Sequence, residues 1–162
     1  FPGSTIGNFV PDEALQLLKR ISRQCGSGGG LLLGVDLQKD PKVIHAAYND
    51  AQGITDQFNL NLLHRINSEL NGDFVVDQFH HKAVYNQEQG RVEIFIVSDV
   101  EQVASVDGTE FHFSAGEEIL TEYSHKYTVE GFAELASAAG MTLRRTWTDD
   151  RSYFAVLHLV VT

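Results

Sequence analysis

CGSGGGLLLGVDLQKDP, residues 25–41, joins a glycine-rich helix stop to a short apolar run that ends at an aspartate. The unalternating run before Asp36 predicts a strand buried on both faces, as in parallel sheets. The glycines from Gly26 to Gly30 predict the end of a preceding helix. That helix is PDEALQLLKRISRQC, residues 11–25, with Pro11 in its first turn and Asp12 and Glu13 at its positive end. Leu17, Leu18, Ile21 and Cys25 recur at helical spacing, so that face is expected inward, with Cys25 a buried thiol. Before the helix stands FPGSTIGNF, residues 1–9, a glycine-rich, hydroxyl-bearing turn. Doubly wound α/β sheets place such turns after a strand, on the edge where ligands sit, and Asp36 is expected on the same edge. No strand precedes this turn in the sequence, which predicts that the chain is the back part of something longer.

Beyond Asp36 the pattern changes. Asp40-Pro41 starts a helix with the stripe Val43, Ile44, Ala47, Tyr48 and Ala51, and Gly53 breaks it. Thr55 is expected to cap a second helix to about residue 70, with Phe58, Leu62, Leu63, Ile66 and Leu70 inward and Asn59, Asn61 and Asn67 elsewhere. Strands are predicted at residues 82–86, 91–98, 103–106, 109–113 and 118–123, with Asp107-Gly108 a strong hairpin signal. The α/β style then returns. Thr128 caps a helix closed by Gly140, and residues 141–146 and 153–161 form a hairpin around Asp149-Asp150, with Trp147 in the core. An antiparallel strand closing one side of a parallel sheet leans toward class I methyltransferases. The expected organisation is a partial Rossmann-like domain, residues 1–40 and 125–162, and an inserted α+β domain with an antiparallel sheet, residues 41–124.

Composition narrows the partners. The chain has 162 residues, 43% of them hydrophobic, and a formal net charge of -10. That charge argues against nucleic acid, whose binders release counterions from a basic face, and against an anionic membrane. No run approaches the length of a membrane span, and a single cysteine forms no internal disulfide, so a cytoplasmic protein is expected. His80 and His81 point opposite ways in an extended chain, and no histidine spacing predicts a metal site. A truncated parallel sheet leaves an open edge, so self-association is expected.

The motifs GSTIGNF (residues 3–9), LLLGVDLQKDP (31–41), AAYNDAQGIT (46–55), FNLNLLHRIN (58–67) and TEYSHKYT (121–128) together resemble the histidine Nα-methyltransferase family. The resemblance covers nearly the whole chain. It implies a Rossmann-like, S-adenosylmethionine-dependent enzyme that makes trimethylhistidine (hercynine), the first step of ergothioneine biosynthesis. The family's main cofactor-binding loop has no counterpart here, so the chain is expected to be the second half of such an enzyme.

The resemblance also implies roles. Gly3 approaches cofactor and substrate with its backbone, Thr5 helps hold the substrate, and Asn8 hydrogen-bonds its amino or carboxylate end. The competing reading of Asn8 is a helix cap. Glu122 and Ser124 match the imidazole-recognition positions; in an extended chain they share a side, and a carboxylate with a hydroxyl suits a ring that both donates and accepts. The competing reading is an exposed strand. Ile94 stands near the ring where typical members carry Met, and Tyr123 and His125 stand where they carry Asn and Tyr. These departures leave open a relative that methylates another amino acid. A second class of reading is a noncatalytic amino-acid-binding or interaction module. No general base is assigned.

Overall fold

A computed structural model describes all 162 residues. In chain order they form a 3-10 turn (Thr5–Asn8), α1 (Pro11–Cys25), β1 (Gly30–Asp36), α2 (Pro41–Tyr48), α3 (Ile54–Glu69), a second 3-10 turn (Val76–Gln78), β2 (Phe79–Asn86), β3 (Arg91–Ser98), β4 (Gln102–Val106), β5 (Thr109–Phe113), β6 (Glu118–His125), α4 (Val129–Ala138), β7 (Met141–Thr148) and β8 (Phe154–Val161). Two compact units result: Phe1–Asp40 with Asn86–Val92 and Tyr123–Thr162, and Pro41–Tyr85 with Glu93–Glu122.

The first unit is built on a sheet ordered β1-β8-β7. Because the β7–β8 connection is short, those strands must run antiparallel, and β8 then bonds β1 along its other edge, pairing Leu33 with Leu157 and Asp36 with Phe154. The antiparallel strand therefore lies between β1 and β7 instead of closing one side. β1 is left at the edge of the sheet. There Phe1 donates its N–H to Leu32 O at 2.9 Å and accepts from Gly34 N–H at 3.0 Å. Bonding to the residues on either side of Leu33 is the pattern of a parallel neighbour.

Ile6, Leu18, Leu33, Leu157 and Phe132 form the middle of this unit's core. α1 buries Ala14, Leu18 and Ser22 and packs Leu17 and Ile21 partly buried against the core, so the expected face is inward except at Cys25, which is exposed. The helix stops at once through Gly26 N–H to Ser22 O (3.0 Å), which leaves the last turn uncovered. Trp147 is also not in the core: it is 42% exposed, with the Arg145 guanidinium 4.8 Å from its ring centroid. The register shift between Leu143 and Arg145 changes which side chains of β7 face inward.

In the second unit, Leu63, Phe74, Phe79, Ile96 and Ala104 form the core, and Phe74, Phe79 and Phe113 pack with ring centroids 5.7 to 6.0 Å apart. β4 and β5 pair from Val106–Thr109 outward, with Asp107 and Gly108 both at positive φ, as a two-residue hairpin turn requires. The strands β2, β3 and β6 form a sheet in the order β2-β3-β6. The helix α3 is rotated relative to the sequence expectation. Phe58 is 75% exposed and Leu62 and Leu70 are exposed, whereas Asn59 is buried beside Leu63. Its cap also differs: the Asp50 carboxylate, not Thr55, accepts the N–H groups of Ile54 and Thr55, each at 2.9 Å. Those bonds hold the Asp50 carboxyl down at about 2. Asn67 mimics a strand partner, donating to Phe74 O at 2.7 Å and accepting from its N–H at 2.8 Å.

Candidate functional site

The opening loop is pinned from one side. Ser4 sits at φ 55, and its Oγ accepts the Asp36 N–H at 2.8 Å, which ties the loop to the end of β1. His125, buried at the end of β6, donates from Nδ1 to Gly7 O at 2.8 Å. That acceptor requires the proton on Nδ1. The approach is close: a Cβ on Gly7 would lie 2.8 Å from His125 O. Tyr127 donates its hydroxyl to Ile6 O at 3.4 Å, and burial pushes its pKa up from 10.0 to about 12.

Three of the expected site residues lie on this loop. Gly3 has φ +69 and open space around it, with only Thr5 Oγ1 within 4 Å of an added Cβ. Thr5 and Asn8 are exposed. The residue at the N-cap position of α1 is Val10, with no side-chain cap, so Asn8 does not cap the helix.

The buried phenol of Tyr127 is directly measurable. Titrated by ultraviolet absorbance, one of the five tyrosines should ionise near pH 12, and Tyr127→Phe should remove that late step. The folded state holds the proton more tightly than the unfolded one. The stabilisation is therefore complete below pH 10 and is lost as the pH rises toward 12, on the order of 2–3 kcal/mol. Five tyrosines that all ionise near pH 10 would contradict this burial.

Ser124 lies on β6, half-buried in the first unit. Its Oγ accepts a hydrogen bond from Lys126 Nζ at 2.7 Å. The Lys126 side chain is 1% exposed and pairs with Asp36 Oδ2 at 2.9 Å, while Lys39 bonds the other oxygen of Asp36. Asp36 is thus engaged with two lysines at the strand end where the sequence placed it. The same junction is held by backbone: Tyr127 N–H donates to Asp36 O (3.0 Å), Gln38 N–H to Tyr127 O (2.9 Å) and Lys126 N–H to Gly90 O (2.8 Å). Sequence reasoning missed Lys126, whose signal was a lysine two residues beyond Ser124 in TEYSHKYT. Tyr123 carries the Arg91 guanidinium 3.9 Å from its ring centroid.

Ile94 and Glu122 belong to the second unit. Ile94 is buried on β3, and its carbonyl accepts from Thr121 Oγ1 at 3.1 Å. Glu122 is half-buried and borders a cavity of about 200 Å³ with Asn59, Phe58, Leu62, Arg65 and Thr121. A buried polar chain lies behind that wall. Asn59 Nδ2 donates to Phe95 O at 2.9 Å and to His81 Nδ1 at 3.0 Å, and Asn59 Oδ1 lies 2.9 Å from Thr121 Oγ1. His81 donates from Nε2 to Tyr48 O at 2.8 Å. These partners make Nε2 the donor and Nδ1 the acceptor of the His81 ring. His80 pairs with Asp99 at 2.6 Å instead. No group of three or more His, Cys, Asp or Glu is placed to hold a metal.

A second cavity, of about 290 Å³, is lined in the first unit by Pro2, Gly3, Leu33, Gly34, Phe154 and neighbouring residues. Its walls are apolar side chains and backbone, without a carboxylate of the kind that binds a ribose diol. These residues alone do not fit S-adenosylmethionine.

A family model described as a SAM-dependent, histidine-specific methyltransferase matches residues 1–161. The histidine N-alpha-methyltransferase of Mycobacterium tuberculosis is 40% identical over 158 residues, covering 96% of this chain and 49% of that protein. Ergothioneine biosynthesis protein 1 of Neurospora crassa is 33% identical, over 98% of this chain and 18% of its own. An L-tryptophan methyltransferase of Psilocybe serbica is 28% identical, over 98% and 45%. The chain thus spans about half the length of its mycobacterial relative. Among solved structures, the CcbJ methyltransferase from Streptomyces caelestis superposes with a TM-score of 0.50 at 13% identity, over 99% of this chain and 58% of that one, a likeness of fold.

Proposed function

The chain belongs to the SAM-dependent, histidine-specific methyltransferase family, and from that premise we propose that the whole protein methylates the α-amino nitrogen of histidine. The product is trimethylhistidine (hercynine), on the route to ergothioneine, in the cytoplasm. In this reading residues 1–40 and 125–162 are part of a Rossmann-like domain and residues 41–124 are the inserted substrate-binding domain. The main cofactor loop comes from the part of the relatives that this chain does not span.

The observation that carries the substrate reading is the pair Glu122 and Ser124, two residues apart on β6. Glu122 accepts the ring N–H, Ser124 meets the second ring nitrogen, and Ile94 supplies an apolar wall. Asn8 bonds the amino or carboxylate end, Thr5 helps hold the substrate, and Gly3 approaches cofactor and substrate with its backbone. S-adenosylmethionine, held mainly by the part of the relatives that this chain does not span, would supply the methyl group. The α-amino group is largely protonated near neutral pH and must lose its proton to offer a lone pair, so this chain's contribution is to orient the amine and exclude water.

Another amino acid, such as tryptophan, is the competing substrate, and the tryptophan methyltransferase relative gives it weight. Two of the three departures that favour it have packing explanations. His125 anchors Gly7, and Tyr123 carries Arg91. Steady-state kinetics on the whole protein decide between the two. Histidine should be preferred over tryptophan, and Glu122→Ala should lower kcat/KM for histidine by about 10²-fold, as for loss of a charged hydrogen bond in a dry site. A preference for tryptophan contradicts the reading. The noncatalytic binding-module reading applies to this chain alone, which by itself should not bind S-adenosylmethionine tightly; tight binding by the isolated chain would overturn the assignment of the main cofactor loop to the part not spanned.

The edge of β1, covered only by bonds to Phe1 and Ser4 of the opening segment, also predicts that the isolated chain self-associates. Sedimentation tests this, and a monomer that melts cooperatively contradicts it.

A further inference from the structure

A buried ammonium is stable only with partners that replace its water, and those of Lys126 include Asp36 at 2.9 Å and Ser124 at 2.7 Å. Its position is set from several sides. The backbone N–H of Lys126 is taken by Gly90 O (2.8 Å), and its carbonyl accepts from Gln38 Nε2 (3.3 Å). Asp36 is fixed at the end of β1 and shared with Lys39.

An ammonium has donors and no acceptor, so Ser124 Oγ must accept from it. The charge polarises the hydroxyl, which makes its own hydrogen a stronger donor. A second donor brought to the same oxygen meets a positive neighbour. The partner that suits Ser124 is therefore an acceptor. A neutral imidazole has one N–H and one bare ring nitrogen; an indole has only the N–H.

We propose that Lys126, held by Asp36, is a positioning residue that fixes Ser124 as a hydrogen-bond donor to the bare ring nitrogen of the substrate, and so selects azole side chains over carbocyclic and indole ones. The proposal rests on the function stated above and deepens it.

Two histidine analogues test it in the whole protein. The ring of 4-thiazolylalanine keeps an acceptor nitrogen and lacks the N–H, and that of 2-thienylalanine lacks both. The unmodified protein should prefer the thiazole by tenfold or more in kcat/KM, roughly the value of one charge-assisted hydrogen bond. Lys126→Met and Ser124→Ala should each bring that ratio to within about twofold of one, and the double variant should bring no further change. Should Lys126→Met fail to fold by circular dichroism, Lys126→Gln, which keeps a donor, is read in its place, with an intermediate ratio expected.

A variant at Lys126 that loses activity on both analogues equally and keeps the ratio overturns the proposal, because that is the signature of a merely structural lysine. A whole protein that methylates histidine but shows no preference between the analogues overturns it while leaving the function standing. Failure to methylate histidine at all overturns the function, and this proposal with it.

Discussion

Asn59→Leu should destabilise the chain by roughly 3–5 kcal/mol, although leucine matches the volume and should improve a helix in apolar surroundings. The amide of Asn59 serves Phe95 O, His81 Nδ1 and Thr121 Oγ1 at once, from a site that is 8% exposed. Removing it leaves buried polar groups without partners, at about 1–3 kcal/mol each. At the size of this chain such a loss lowers Tm by roughly 10 °C. Urea or thermal melts measure it, and hydrogen exchange should show the loss concentrated in α3, β2 and β3. A change under about 1 kcal/mol would mean that the polar chain contributes nothing. Thr121→Val should cost less, since Asn59 keeps both of its donor bonds.

Gly7→Ala should reduce methyl transfer by about 10²-fold in the whole protein while leaving most of the fold intact. The added Cβ falls 2.8 Å from His125 O and 3.3 Å from His125 N, backbone atoms with no rotamer to yield. The loop must move off β6, which breaks the bond from His125 Nδ1 to Gly7 O. Overpacking of this kind costs about 1–3 kcal/mol in stability. The larger effect is on geometry. Asn8 and Thr5 are carried by the same short turn, and displacement of a binding group by about 1 Å can cost 10²-fold in rate. His125→Ala removes the hydrogen bond without the clash and should fall between Gly7→Ala and the unmodified protein. Equal activity in Gly7→Ala would show that the loop does not hold the substrate.

The parts legible in the sequence were those set by local chemistry. Asp107-Gly108 specified a hairpin turn, and Thr128 capped α4 by accepting the Gly131 N–H at 3.0 Å. The apolar run before Asp36 became a strand of the first unit's sheet. What was not legible depended on partners distant in sequence. Counting apolar residues turned α3 the wrong way, because nothing local says that Asn59 meets His81 and Thr121, 22 and 62 residues on. Likewise the tie between Asp36 and Lys126 joins two segments that only the fold brings together. Trp147 looked like core by size alone, and a bulge in β7 decided otherwise.

Within the candidate site, residue types pointed to Glu122 and Ser124 but not to what supports them. Sequence gave no sign that His125, which departs from the family pattern, would act as an anchor for the opening loop.

Methylation of histidine at its α-nitrogen by the whole protein is the proposal on which the roles of Glu122, Ser124 and the opening loop rest. The most direct test incubates the whole protein with histidine and S-adenosylmethionine and locates the added methyl groups by tandem mass spectrometry. Methylation should be confined to the α-nitrogen and end at trimethylhistidine. Methyl groups on the ring nitrogens, or histidine recovered unchanged while another amino acid is methylated, would contradict it.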